Sequence, residues 1–231
     1  MKQLATKGIV LARTNYGEAD RIVTLLTPDQ GKLRLMAKGV RKPKSKLAGG
    51  IELFSVSDIT FIRGKKDIGT LVSSRLATHF GNIVKDIDRT MLGYELIKLL
   101  NKATEDEPEK DYFNLLEKAL ESLNDEHISY NLVSLWFIGQ LLKLAGHTPN
   151  LQSDTMGHNL IMSQTYNFSF DDMAFDPAND NGRFNADCVK VLRLLFSNNS
   201  PQTLQQVQGM EKLLNDIAPL VKTMRNTYIM L

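Results

Sequence analysis

The hydrophobic pattern of this chain changes its period near residue 80. Before that point, short β-rich segments alternate with turn residues, and no helical period separates them. Five such segments are centred on Ile9-Val10-Leu11 and on residues 21–27, 32–39, 51–63 and 70–78. Short antiparallel strands with turns at this spacing predict a small barrel or sandwich. Periodicity alone leaves a five-stranded OB-fold barrel and an SH3-like barrel equally open.

After residue 80, apolar side chains recur at the spacing of amphipathic helices. Helices are predicted over about 83–100, 112–123 and 128–145, then from about 185, from Ser200-Pro201 and over 213–224. Residues 147–184 are rich in Asn, Asp, Ser and Gly, so we expect an irregular insertion there, with short strands around Leu160–Met162 and Tyr166–Phe170. The predicted fold class is α+β with two domains: a barrel over residues 1–80 and a helical domain over residues 81–231.

The net charge of +2 conceals two halves of opposite sign. Residues 1–80 hold 15 Lys and Arg against 6 Asp and Glu, a net of +9, whereas residues 81–231 hold 13 against 20, a net of −7. This asymmetry indicates two modules, of which the basic one faces a polyanion. The chain has no apolar run long enough to span a membrane. With no secretory signal at the N-terminus and a single cysteine, Cys188, we expect a cytoplasmic protein without disulfides.

The segment 32–46 carries the densest positive charge. Its cations alternate with Leu33, Leu35 and Ala37, and successive side chains of a strand point to opposite faces, so the apolar row is predicted to join the core. The loop that follows is basic again. We call the following candidate phosphate contacts the cationic track: Lys32, Arg34, Lys38, Arg41, Lys42, Lys44 and Lys46, with Arg63, Lys65 and Lys66 from the turn at 64–67. An ordinary solvated strand face and loop would show the same pattern.

Two aromatic residues of the barrel half are candidates for stacking on bases, Tyr16 and Phe61. Phe61 lies within a predicted strand and is more simply explained as a core residue, whereas Tyr16 leaves both interpretations open. Glu18 and Asp20 form a pair of carboxylates beside Arg21, but no histidine or nucleophile stands near them in the sequence. General acid–base catalysis is therefore not predicted, because it needs a positioned partner group.

Several motifs of the barrel half occur in the order and spacing of a known family. They are Tyr16-Gly17-Glu18 with Asp20, IVTLLT at 22–27, Gly31-Lys32-Leu33, AKGVRK at 37–42, and SKLAG at 45–49 with Leu53 and Phe54. This pattern resembles the N-terminal domain of the bacterial RecO family of DNA repair proteins. The resemblance implies an OB-fold rather than an SH3-like barrel. The helices after residue 80 are similar in layout to the helical domain of that family.

The resemblance implies a recombination mediator and not an enzyme. A RecO protein is expected to bind single- and double-stranded DNA, to anneal complementary strands, and with RecR to assist RecA loading on strands coated by single-stranded DNA-binding protein. The acidic, hydrophobic tail of that coating protein is expected to dock on the helical domain, where candidate rim residues are Lys98, Lys102, Lys143 and Arg193. A nucleoid-associated location would follow. The alternative is an adaptor that binds proteins through its helical domain and does not bind DNA.

The insertion departs from that family's pattern. Residues 147–151 resemble the segment that leads into a zinc-binding region in many relatives, where two CxxC pairs follow. Here the first pair would align near Ser153 and Met156, and Cys188 alone remains near the second. Because structural zinc needs four thiolate or imidazole ligands, we predict a zinc-ribbon-like region without its cysteines and no metal or other cofactor. Hydrogen bonds and packing are expected to hold it instead, through Met156, Tyr166, Phe168 and Phe170.

Overall fold

The computed structural model describes residues 2–64, 67–104, 110–178 and 181–229. The chain divides into two compact units, one ending at Asp125 and the other beginning at Glu126. The first unit contains β1 (Gln3–Tyr16), β2 (Asp20–Thr27), β3 (Gly31–Ala37), β4 (Ser55–Ile62), β5 (Ile68–His79), α1 (Ile87–Ala103) and α2 (Lys110–Asn124). The second contains α3 (Tyr130–Leu144), β6 (Asn150–Asp154), β7 (Thr165–Ser169), β8 (Ala174–Ala178), α4 (Ala186–Phe196), α5 (Pro201–Leu204) and α6 (Met210–Tyr228). None of the described helices is long and apolar enough to cross a membrane.

The five strands of the first unit close into a barrel in the order β1-β2-β3-β5-β4. All neighbouring strands are antiparallel except β3 and β5, which pair in parallel and complete the ring. A closed five-stranded barrel with this crossover is an OB-fold. The α+β fold class and the predicted OB-fold barrel are therefore confirmed.

The alternating pattern of β3 places its apolar residues as the sequence predicts. Leu35 and Ala37 are buried in the barrel core, and Leu33 packs against that core while remaining partly exposed. Phe61 of β4 has no exposed surface and belongs to the same core. Its interpretation as a core residue is confirmed, and it is not available to stack on a base.

Helices α1 and α2 fold into the same compact unit as the barrel. Gly93 of α1 lies against the ring of Phe54, and a Cβ at this position would stand 2.6 Å from a ring carbon, so glycine permits the close approach. The ammonium of Lys32 in β3 donates to the carbonyl oxygen of Asn101 near the end of α1, at 2.9 Å. The barrel strands end at His79, near the predicted division after residue 80, but the compact unit extends to Asp125 because of these contacts.

The second unit is built around the apolar helix α3, whose Trp136 is buried and donates from Nε1 to the carbonyl oxygen of Asn199 at 2.9 Å. Gly146 follows α3 with a φ of +82°, the left-handed conformation expected of a helix C-terminus. Ser200 caps α5 through its hydroxyl, which accepts from the Thr203 backbone N–H, and Pro201 takes the first helical position. The predicted boundaries at Gly146 and Ser200-Pro201 are confirmed.

The insertion contains a three-stranded sheet in the order β6-β8-β7. The predicted strand at Tyr166–Phe170 corresponds to β7, but the predicted strand at Leu160–Met162 is wrong. Those three residues form a loop in which the Tyr166 hydroxyl accepts a hydrogen bond from the Ile161 backbone N–H at 2.8 Å. An interior of aromatic rings centred on Phe175 supports the sheet, with ring centroids 5.3 to 5.9 Å from those of Tyr166, Phe168 and Phe184.

Met156 was expected to pack in this region and does not. Its side chain is 71% exposed in the loop after β6. The expectation was wrong because this loop turns back through backbone hydrogen bonds to Asp154, whose Oδ1 accepts from the N–H groups of Met156 and His158 at 2.9 Å each. The loop therefore keeps its shape without burying the methionine.

Arg89 is a buried charge in α1 that links the two helices of the first unit. Its guanidinium Nη1 donates to the carbonyl oxygens of Leu123 at 2.7 Å and Asp125 at 3.0 Å, and its side chain is 7% exposed. A cation at the C-terminal end of α2 is favoured by the helix dipole as well as by these hydrogen bonds. The contact therefore fixes the end of α2 against the first turn of α1.

We predict that Arg89→Met lowers the free energy of unfolding of the first unit by about 2–3 kcal/mol, because two carbonyl oxygens lose a charged donor. Amide hydrogen exchange in α1 and α2 measures this loss region by region. Lys110→Met removes an equal charge from an exposed position of α2 and should leave the exchange rates of both helices unchanged. Equal protection in Arg89→Met and in the unsubstituted protein would contradict the assigned role.

Candidate nucleic-acid interface

The outer face of β3 presents part of the cationic track. Arg34 is exposed, and it lies opposite Thr24 of β2 on one side and Ile68 of β5 on the other. Lys38 follows the last residue of β3 and is also exposed. Leu35 and Ala37 thus point inward and Arg34 points outward, as the alternation predicts, whereas Lys32 is partly buried.

A concavity of about 250 Å³ lies where β3 meets the start of β5. Lys32, Arg34 and Arg63 line it, so the structure brings these three residues of the cationic track together. The guanidinium of Arg63 is held by a hydrogen bond from Nη2 to Gln30 Oε1 at 2.5 Å. Among the described residues that line the concavity, Asp67 is the one carboxylate. Three cations against one carboxylate make the concavity suited to an anionic group.

The ammonium of Lys32 is already engaged in a hydrogen bond within the fold. Lys32 is partly buried and donates to the Asn101 carbonyl oxygen at the end of α1. The sequence could not indicate this contact, since the two residues are 69 positions apart. The structure thus places Lys32 beside Arg34 but assigns part of its hydrogen-bonding capacity to the fold.

The basic loop after β3 is anchored to the turn between β1 and β2. The backbone N–H of Arg41 donates to the carbonyl oxygen of Ala19 at 2.9 Å, and its Nη1 lies 3.3 Å from the carbonyl oxygen of Gly17. Asp20 Oδ1 accepts from the backbone N–H of Gly39 at 2.7 Å, and Gly39 adopts a φ of +65°. Asp20 is a positioning residue that the sequence did not reveal. The glycine at position 39 was the sequence signal for this contact, because glycine readily adopts the left-handed conformation that brings its N–H to Asp20.

The loop and strand cations remain available to an anion. Arg34, Lys38, Lys42, Lys44 and Lys46 are exposed, and none of them forms an ion pair with another described residue. Unpaired charges of one sign raise the local positive potential and attract a polyanion. From Lys32 to Lys38 the strand covers about 20 Å at about 3.4 Å per residue. The cations of the concavity therefore lie near the start of β3, and Lys38 and the three loop lysines lie at its other end.

Tyr16 lies at the loop end of this surface. It is the last residue of β1, pairs with Asp20, and is 56% exposed. Its ring is therefore open to solvent near the anchored loop. Lys65 and Lys66, which complete the predicted track, lie outside the described residues.

Ser153 and Cys188 are two of the positions where the sequence predicts that a zinc site has been lost. Ser153 Oγ accepts a hydrogen bond from the side-chain amide of Asn150 at 2.8 Å. Cys188 is buried in the first turn of α4, and this burial raises the pKa of its thiol. A raised pKa disfavours the thiolate that binds metals. Among the described residues, no three His, Cys, Asp or Glu side chains form a group that could hold a metal.

A second cavity, of about 680 Å³, lies in the second unit between the insertion and α4. Pro149, Leu151 and Phe196 are buried residues of its wall, and Arg193 stands on its rim. Arg193 Nε donates to the carbonyl oxygen of Leu151 at 2.7 Å, which orients the guanidinium. Of the four candidate rim residues, Arg193 lines this cavity, whereas Lys143 donates to Asn198 Oδ1 at 2.9 Å. Lys98 and Lys102 belong to α1 of the first unit.

The barrel, its cationic strand and loop, and the helices that follow define an OB-fold protein of two units. Family models for the N-terminal and C-terminal parts of recombination protein O match residues 1–80 and 84–221. The chain therefore belongs to the recombination protein O family, RecO.

Individual relatives agree with this assignment. The DNA repair protein RecO of Dehalococcoides mccartyi is 35% identical over 165 residues, which cover 71% of this chain and 64% of that protein. The DNA repair protein RecO of Desulfatibacillum aliphaticivorans is 36% identical over 154 residues, or 65% of this chain and 60% of that protein. The DNA repair protein RecO of Listeria monocytogenes is 30% identical over 197 residues, which cover 82% of this chain and 76% of that protein. The chain thus spans less than two thirds of the length of the first two relatives.

Proposed function

We propose that this chain is a recombination mediator of DNA repair that binds single- and double-stranded DNA and anneals complementary strands. It acts without enzymatic turnover, in the cytoplasm at the nucleoid. The observation that supports this function most strongly is the row of exposed cations on an OB barrel that form no ion pair with another described residue. Membership of the RecO family supports it independently.

The arrangement of the cations suits annealing. Lys and Arg side chains bind phosphates and carry little sequence information, so a strand held by them keeps its base edges free to pair. Arg34 and Arg63 would hold one phosphate group at the concavity, and Lys38, Lys42, Lys44 and Lys46 would hold the backbone at the far end of β3. Lys65 and Lys66, which follow Arg63 closely in the sequence, are further proposed phosphate contacts. Tyr16 would stack on a base beside the loop.

RecR is the proposed partner that joins this chain in loading RecA, and RecA is reached indirectly. A third partner is single-stranded DNA-binding protein, through its acidic and hydrophobic tail. The cavity of the second unit has both an apolar wall and a positively charged rim, which suit a tail that is hydrophobic and acidic. Leu151 and Phe196 would receive an apolar side chain, and Arg193 would pair with a carboxylate through a charge-assisted hydrogen bond.

We predict that the combined variant Lys42→Glu, Lys44→Glu and Lys46→Glu binds single-stranded DNA more weakly and with a flatter dependence on salt. Each phosphate contact on a single strand contributes about 0.7 to the slope of log affinity against log salt, so losing three contacts lowers its magnitude by about 2. Fluorescence anisotropy of a labelled oligonucleotide at several salt concentrations measures both quantities. The same variant should anneal complementary strands more slowly, with and without single-stranded DNA-binding protein.

The matched control reverses three exposed lysines of the acidic part of the chain, Lys110, Lys212 and Lys222, to Glu. This control changes the net charge by the same amount as the track variant, and its slope of log affinity against log salt should stay close to that of the unsubstituted protein. If the track variant and the unsubstituted protein gave the same affinity and slope, the DNA function would be refuted at this surface. The adaptor that acts through the helical domain would then be the better description.

We predict that Arg193→Glu weakens binding of a peptide with the acidic, hydrophobic C-terminal sequence of single-stranded DNA-binding protein by at least about tenfold. The substitution replaces a charge-assisted bond, which contributes about 1.5–3 kcal/mol, with like-charge repulsion. Isothermal titration calorimetry measures the dissociation constant. Lys212→Glu carries the same charge change on α6 and should bind the peptide normally. Equal affinity in both variants would exclude the Arg193 cavity as the tail site.

We also propose that the insertion needs no zinc. Elemental analysis of protein purified without chelators should then find much less than one zinc per chain, and EDTA should leave the melting temperature unchanged. The physical reason is that aromatic packing around Phe175 and the hydrogen bonds of Asp154 occupy the region that a metal would hold together. One equivalent of tightly bound zinc would refute this proposal.

A further inference from the structure

Helix α1 carries a row of exposed apolar side chains on the face turned away from the first unit's interior. Ile87 is 73% exposed, Met91 62% and Tyr94 49%. Lys98 continues the row at the C-terminal end, and we call these four residues the α1 stripe. The opposite face of the helix is buried through Leu92, Leu96, Leu99 and Leu100, among others. Tyr94 also packs edge-to-face on the buried Phe54 of the same unit, with ring centroids 5.2 Å apart, while about half of its surface stays exposed.

The spacing of the α1 stripe is that of a helix–helix seam. Its members are separated by four, three and four residues, which is the alternation of the a and d positions in a two-helix coiled coil. Large exposed apolar side chains in a contiguous row mark interaction sites more often than isolated ones do. A second helix with the same spacing would cover all four residues at once.

We propose that the α1 stripe is a dimerisation surface, which pairs in antiparallel orientation with the α1 stripe of a second copy of this chain. A two-fold axis makes the same patch serve on both copies, so the patch must be complementary to itself. With the axis between residues 92 and 93, Met91 of each copy packs beside Tyr94 of the other. Lys98 of each copy lies over Ile87 of the other.

Charge complementarity selects the second copy and the antiparallel direction. Asp88 adjoins the N-terminal end of the stripe, and Lys98 stands at its C-terminal end. Both are exposed, and neither forms an ion pair with another described residue. In the antiparallel pair, each Lys98 extends its aliphatic stem across Ile87 and reaches Asp88 of the other copy. A parallel pair would oppose Lys98 to Lys98 and Asp88 to Asp88.

The size of the seam sets the strength of the dimer. From Ile87 to Lys98 the helix rises by about 17 Å, at 1.5 Å per residue. A seam of this length buries less than a standard interface, so association is weak and depends on protein concentration. The dimer would place two OB barrels in one assembly. It stands on α1 alone and does not depend on the proposed DNA binding.

Sedimentation velocity over about two orders of magnitude of protein concentration tests the proposal. The unsubstituted protein should shift from monomer towards dimer as concentration rises. Lys98→Glu alone and Asp88→Lys alone should each remain monomeric. In either variant, residues 88 and 98 carry charges of the same sign, so both symmetric contacts between the two copies become repulsive. An equimolar mixture of the two variants should dimerise again, because both contacts then join opposite charges.

Two further variants keep the outcome decisive. Met91→Glu changes an exposed residue and should abolish dimers while the circular dichroism spectrum stays unchanged. Lys222→Glu makes the Lys98 charge change on an exposed position of α6 and should dimerise normally. A monomer at every concentration, or a mixture that stays monomeric, overturns the proposal, and the stripe would then be a surface for a different protein.

Discussion

Parallel pairing of β3 with β5 is the contact on which the candidate interface depends. Arg34 lies opposite Ile68, and Met36 lies opposite Thr70, so β5 starts beside the middle of β3. Arg63, which directly follows β4, is thereby carried to the first half of β3 and reaches the same concavity as Arg34. Without this pairing the barrel would be open, and Arg34 and Arg63 would not share a surface.

The other end of β3 is fixed by polar contacts of the backbone rather than by burial. Asp20 and Arg41 tie the basic loop to the turn between β1 and β2, and both contacts involve main-chain groups. Such contacts hold the loop while leaving Lys42, Lys44 and Lys46 in solvent. A positioned backbone with free ammonium groups lowers the ordering cost of binding a polyanion, because side chains rather than the whole loop remain to be fixed.

The sequence predicted those parts of the structure that local patterns determine. The alternation at 32–37 placed Leu35 and Ala37 in the core, and Ser200-Pro201 marked a helix start, since both follow from the geometry of one segment. The contact of Lys32 with Asn101 could not be predicted, because it depends on how α1 packs against the barrel. Strand β8, with the sequence AFDPA, was missed because Asp and Pro are unfavourable in strands. The apolar run at Leu160–Met162 suggested a strand, but nothing in its own sequence showed that Tyr166 would hold it as a loop.

The cations of the track consequently divide into two kinds, although their sequence context is the same. Lys32 and Arg41 donate to carbonyl oxygens of the fold, and Arg63 donates to the side chain of Gln30, so part of their hydrogen-bonding capacity is used before any ligand arrives. Arg34 and Lys38, together with the three loop lysines, make no such bond to another described residue through their side chains. A charge acts at a distance even when its donors are engaged, so Lys32 and Arg41 still add to the positive potential. Direct contacts with phosphate oxygens should fall mainly to the second kind, and this distinction can be drawn from the structure alone.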